Sequence, residues 1–189
     1  MHSTTSKCGL FLHPAQADFC IENSALFISQ LQNIGLIAKE LTKEKNTFYT
    51  GEQYLDFIAY MGCSPAIQFE ASDNCEDFCH VRIHSYNAKK LIVSQIQSRA
   101  PHCPCCNKPV KNWLDTKTEE TITCTLCNNT SNIEQFNWRK MAGYARIFIE
   151  VTDIFPKEAI PQQALLDKLN KACKTEWSYF YSCNSADTD

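Results

Sequence analysis

The sequence predicts an α+β protein, an antiparallel sheet with helices on one face and a small cysteine-rich unit inserted between two of its strands. Three observations predict it. Short β-branched segments alternate with three stretches of helical periodicity. Residues 46–98 order as strand, helix and strand pair, and residues 144–182 as strand, helix, strand. Between these blocks, residues 100–140 carry two closely matched cysteine pairs and no long periodic element.

The first helix is capped by Asn23 or Ser24. Its apolar residues Phe27, Ile28, Leu31 and Ile34 fall at helical spacing, and Gly35 ends it. Thr50 and Gln53 form the pattern of a capping box ahead of Tyr54, Phe57, Ile58 and Met61, with Gly62 closing that helix. Pro161 starts a third helix, in which Leu165, Leu166, Leu169 and Cys173 share a face. Strands are expected at Ile67–Ala71 and Phe78–His84, joined as a hairpin by residues 73–77, and at Leu91–Gln97, Tyr144–Thr152 and Trp177–Tyr181. This layout resembles a ferredoxin-like sandwich, built from residues 1–99 together with 141–189, with residues 8–41 as an added N-terminal layer. Residues 1–7 and 184–189 read as tails.

The cysteine-rich unit holds Cys103 and Cys106 in one C-x-x-C pair and Cys124 and Cys127 in another, 17 residues apart. That spacing suits a four-thiolate metal site made of two tight knuckles. In such a knuckle the residue after the second cysteine has positive φ. Asn tolerates this region best after Gly, and Asn follows at both Asn107 and Asn128. Thr121-Ile122-Thr123 supplies a short strand into the second pair. The unit resembles a zinc ribbon whose first knuckle, Cys103-Pro104-Cys105-Cys106, is of the rubredoxin type; the resemblance covers residues 100–140 only. It implies one structural zinc ion in a tetrahedral sulfur set. Cys105 competes with Cys103 or Cys106 as ligand, and iron fits four thiolates too, but closed sulfur ligation makes zinc the default. A closed set has no position for a reacting water. His102, beside the first knuckle, is a candidate hydrogen-bond donor to a bound sulfur.

Composition excludes several function classes. A net charge of −3 over 189 residues argues against a protein that clamps phosphate backbones. Within residues 101–140 five basic residues (Lys108, Lys111, Lys117, Arg139, Lys140) face four acidic ones (Asp115, Glu119, Glu120, Glu134), so a protein partner is expected rather than a nucleic acid. No segment is apolar over the length that spans a bilayer, so no membrane partner is expected. Residues 1–20 lack the apolar core of a secretion signal. The twelve cysteines are accordingly expected to be reduced or metal-bound in the cytoplasm. The phosphate-loop, dinucleotide, zincin and nucleophile-elbow signatures are absent. A non-catalytic binding or adaptor protein is therefore the leading expectation, ahead of a small-ligand binder or enzyme and of a nucleic-acid-binding protein, which the charge disfavours, or an iron redox protein.

The ligand-binder alternative rests on one sheet face. Strand alternation puts His80, Arg82 and His84 opposite Cys79, Val81 and Ile83. It likewise sets Arg146, Phe148 and Glu150 opposite Ala145, Ile147, Ile149 and Val151. With Glu70 these groups are candidates to converge on an anion, and Trp177, Tyr179 and Tyr181 are candidates to stack a base. A solvated or self-associating sheet face is the simpler reading. Cys75, Cys79 and His80 suggest a second metal site that alternation disfavours, Cys63 has no nucleophile signature around it, and Cys8, Cys20, Cys173 and Cys183 read as single buried thiols.

Overall fold

The computed structural model describes residues 7–61, 67–70, 78–96, 99–154 and 158–184. Along the chain run β1 (Lys7–Pro14), α1 (Ser24–Asn33), β2 (Ile37–Glu40), β3 (Thr47–Thr50), α2 (Tyr54–Phe57), β4 (Ile58–Tyr60) and β5 (Val81–Val93). After these come α3 (Trp113–Thr116), β6 (Thr121–Thr123), β7 (Thr130–Asn132), β8 (Ala142–Val151), β9 (Ala159–Pro161), α4 (Gln163–Cys173) and β10 (Trp177–Asn184). The protein is α+β. Six strands form one antiparallel sheet in the order β10-β1-β8-β5-β3-β2. Among β1, β5, β8 and β10, strands adjacent to a common neighbour are parallel to each other, with α1 lying between β1 and β5 in sequence and α4 between β8 and β10. β1 sits inside the sheet, between β10 and β8, so residues 8–41 do not form a separate layer. Gly9, His13 and Pro14 obscure its strand pattern in the sequence.

Both long helices cover one face. Asn23 caps α1, its side-chain oxygen accepting from the Leu26 amide at 2.9 Å. Gly35, at φ 79°, closes the helix: its amide donates to the Gln32 carbonyl and the Leu36 amide to the Leu31 carbonyl, a reciprocal pair that only a left-handed residue allows. Leu31, Leu165 and Leu169 are buried against Leu10, Leu12, Val81, Ile147 and Ile149 of the sheet, each such side chain contributing about 1.5–3 kcal/mol of transfer free energy. Pro161 ends β9 rather than starting α4, which begins at Gln163.

The second helix is shorter than its periodicity suggests. After one turn the chain leaves helical geometry at Ile58 (φ −119°, ψ 103°), and Ile58–Tyr60 pairs with β9. A two-stranded ladder with Ile58 fully buried outweighs the local preference for helix. Gln53 precedes the turn without a side-chain cap. Residues 67–70 are not a strand, although the Cys79 amide donates to the Gln68 carbonyl at 2.7 Å; residues 71–77 and Gly62–Ala66 lie outside the described residues.

The strands expected at 78–84 and 91–97 are one element. β5 runs from Val81 to Val93 along β8, and its register shifts between Ser85, opposite Ile147, and Lys90, opposite Ala145. Residues 86–89 therefore bulge out against Arg146 alone, and the Arg146 Nε donates to the Tyr86 carbonyl at 3.3 Å. The bulge breaks the alternation: Ala145 packs with Phe11, Phe148 and Phe180 on the far face, not with Ile147. Cys8 and Cys183, opposed in the β1–β10 register, are joined by a disulfide, which corrects the expectation that both are single thiols. Their 175-residue separation hides the pairing from the sequence. Among the described residues no helix is long and apolar enough to cross a membrane.

Candidate metal centre

The unit at 100–140 folds around β6, β7 and two knuckles. Ile122 at the centre of β6 is fully buried, as is Ile133, and both join Val110, Phe136 and Trp138 in a cluster that continues onto Ala142 and Tyr144 of β8 and Leu91 and Val93 of β5. Trp138 is fixed by its indole N–H donating to the Ile133 carbonyl at 3.0 Å. Backbone bonds between His102 and Asn137, and a side-chain bond from the Arg139 guanidinium to the Ala100 carbonyl, tie the ends of the unit together. The unit thus stands on the far end of the β5–β8 hairpin, beyond the bulge, and does not cover His80–His84.

Each knuckle closes with an amide-to-carbonyl bond, Asn107 to Cys103 at 2.9 Å and Asn128 to Cys124 at 2.7 Å. Asn107 and Asn128 lie at φ 55° and 57°, the left-handed geometry their residue type predicts. The consequence is convergence of four thiols. Cys103 Sγ and Cys127 Sγ are 3.7 Å apart, Cys106 Sγ and Cys124 Sγ 3.8 Å, and all four sulfurs lie within 4.8 Å of one another. A disulfide needs about 2.05 Å. A tetrahedron with metal–sulfur bonds of about 2.3 Å has edges of about 3.8 Å, so the spacing fits one shared ion. The four cysteines can therefore hold a metal. Cys105 is exposed and outside the cluster; its amide points at Cys103 Sγ at 3.4 Å. No hydrogen bond from the His102 ring to a sulfur occurs among the described contacts.

Electrostatics favour a cation there. Burial pushes the Cys124 thiol up, but hydrogen bonds from the Leu126 and Cys127 amides and from the Cys127 and Cys106 thiols bring it down to about 7. The Asn129 amide favours a Cys127 thiolate, yet burial and the neighbouring Cys124, Cys103 and Cys106 thiols hold Cys127 up at about 12. One thiol ionises readily and the next resists, because a second negative charge within 4.8 Å is opposed until a cation neutralises both.

The candidate ligand face is brought together only in part. Glu150 Oε2 lies 2.7 Å from His84 Nε2 and 3.3 Å from Arg82, and Arg82 also reaches Glu44 at 2.9 Å and His80 at 3.4 Å. Among the described residues no hydrogen bond or ion pair joins Glu70 to this group, and Arg146 is turned to the bulge. The Arg82 bond and charge hold the Glu44 carboxyl below its ordinary value. Burial, opposed by the Phe78 carbonyl and helped by Arg82, holds His80 below its own. Two carboxylates thus occupy one guanidinium, which leaves the group no free positive charge for an anion. Glu44, in the β2–β3 loop, carries no sequence signal for this role. Trp177, Tyr179 and Tyr181 lie on the opposite, helix-covered side, where Trp177 stacks on Phe27, so the base-stacking expectation is corrected. Strand alternation from Phe180, which faces the Arg82 side with Phe148, requires it. Cys79 hydrogen-bonds Tyr54 Oη at 3.2 Å in the core and joins no candidate metal cluster among the described residues; Cys63 and Cys75 lie outside the described residues.

No protein-family model, curated protein or solved structure matches this chain.

Proposed function

We propose that Cys103, Cys106, Cys124 and Cys127 hold one structural zinc ion, and that the protein is a non-catalytic binding protein whose residues 100–140 dock onto another protein. The carrying observation is the convergence of the four sulfurs, two pairs at 3.7 and 3.8 Å and all four within 4.8 Å of one another. Zinc is the ion of such closed sulfur sites, and a filled sulfur shell leaves it nothing to activate. When bound, it would fold a segment whose own core is too small to stand alone. Docking is supported by Leu126 in the second knuckle and Leu114 in α3, which are 60% and 69% exposed, and by the near balance of charge over the segment, which gives a phosphate backbone little to bind. The cytoplasm is the proposed compartment on the strength of the four reduced, metal-holding thiols. The Cys8–Cys183 disulfide would need protection from reduction there, and both its residues are buried.

Hydrogen exchange before and after chelation tests the structural role. Loss of protection across 100–140 and the adjoining ends of β5 and β8, with α1 and α4 unchanged, is the expected result; unchanged protection would overturn it. Cross-linking in the protein's own cells tests docking. A single partner polypeptide should attach near Leu126 and be lost in Leu126→Asp, which keeps its metal. Recovery of nucleic acid in place of a polypeptide would reverse that part of the proposal.

A further inference from the structure

An open cleft of about 930 Å³ separates the metal unit from the β5 bulge, within the size range of small-molecule sites. Its floor is Leu91, Trp113 and Tyr144, all at least partly buried. Trp113 is held edge-on against Trp138, with ring centroids 5.1 Å apart at 90°. The ion pair of Lys89 with Glu120, at 2.7 Å, links the two walls and sets their separation.

The remaining cations differ from those on the Arg82 face. Lys90, Lys117 and Arg146 line the cleft, and among the described residues none has a carboxylate within ion-pair distance. Lys90 rests 4.5 Å from the Tyr86 ring centre, and Arg146 uses only its Nε, leaving its terminal nitrogens unbonded. Asp18 and Glu119 also line the cleft unpaired, so the free groups sum to one positive charge. A net of one positive charge gives a long polyanion little to hold and leaves a compact one a seat between the three cations. We infer that the cleft binds a small aromatic phosphate, its ring against Trp113 and Tyr144 and its phosphate among Lys90, Lys117 and Arg146. The metal unit then serves as one wall of a ligand site, independently of whether it also docks a partner.

Titration of the metal-loaded full chain with phenyl phosphate, AMP, adenosine and inorganic phosphate tests this. Both aromatic phosphates should bind saturably and shift the Trp113 indole N–H resonance, assigned by its absence in Trp113→Phe. Adenosine and inorganic phosphate should each bind at least tenfold more weakly. Lys90→Gln and Lys117→Gln should each weaken binding about tenfold, while Arg82→Gln leaves it unchanged. Absence of saturable binding, equal affinity for inorganic phosphate, or loss in Arg82→Gln but not in the lysine variants would overturn the inference.

Discussion

Alanine at Asn107 or Asn128 places a Cβ in the left-handed region without the short polar side chain that lets Asn occupy it. Both residues sit there, at φ 55° and 57°, directly after a metal-binding cysteine. The left-handed conformation costs an L-residue about 1–2 kcal/mol, of which Asn recovers part through local hydrogen bonding. A difference of about 1 kcal/mol between Asn and Ala follows. Since closing the knuckle and binding the ion are one equilibrium, that strain enters the metal affinity directly. Each alanine should weaken binding about fivefold and the pair about 25-fold. Glycine has no Cβ to strain and should stay within about twofold of the parent. Competition against a chromophoric chelator at fixed pH measures all of these. Alanine variants with parental affinity, or glycine variants as weak as alanine, would refute the knuckle geometry.

Other perturbations address the surrounding fold. In Gly143→Ala the new Cβ collides with the Phe180 ring, which is fully buried between Phe11 and Phe148. A loss of about 2 kcal/mol and a Tm lower by roughly 4–8 °C are expected by calorimetry, and an unchanged Tm would contradict the packing. Burial holds His13 below its ordinary value despite its bond to the Pro14 carbonyl, and His80 is held low as well. On acidification the unfolded chain therefore takes up these protons first, so stability falls as pH drops below about 6.5 and is regained above it. His13→Gln should flatten the fall of Tm between pH 7 and 5; a slope equal to the parent's would refute the assignment. Under denaturing, non-reducing conditions Cys8 and Cys183 should escape alkylation, and reduction should cost about 2–4 kcal/mol in urea unfolding; labelling of both thiols would contradict the bond.

The cysteine cluster was legible because it is local: two spacings and two Asn residues define it within 26 positions, and a knuckle is shaped by its own turn chemistry. The helices α1 and α4 were legible through periodicity, and the Gly35 end of α1 through its backbone demand. What the sequence concealed is non-local. β1 enters the sheet between strands more than 130 residues away, Cys8 finds Cys183 only through that register, and Ile58–Tyr60 becomes a strand because β9 offers it a partner. That the Arg82 guanidinium is already occupied was hidden for the same reason: Glu44 reaches it from a loop 38 residues earlier. The bulge at 86–89 creates a cleft that strict alternation cannot foresee, since alternation assumes an unbroken ladder.

X-ray absorption at the zinc edge, on protein purified without added metal, tests the central claim most directly. Four sulfur neighbours at about 2.3 Å with no nitrogen or oxygen in the shell, and one zinc per chain, are the predicted result. An iron signal in place of zinc, a shell containing nitrogen or oxygen, or a folded chain that carries no metal would contradict it.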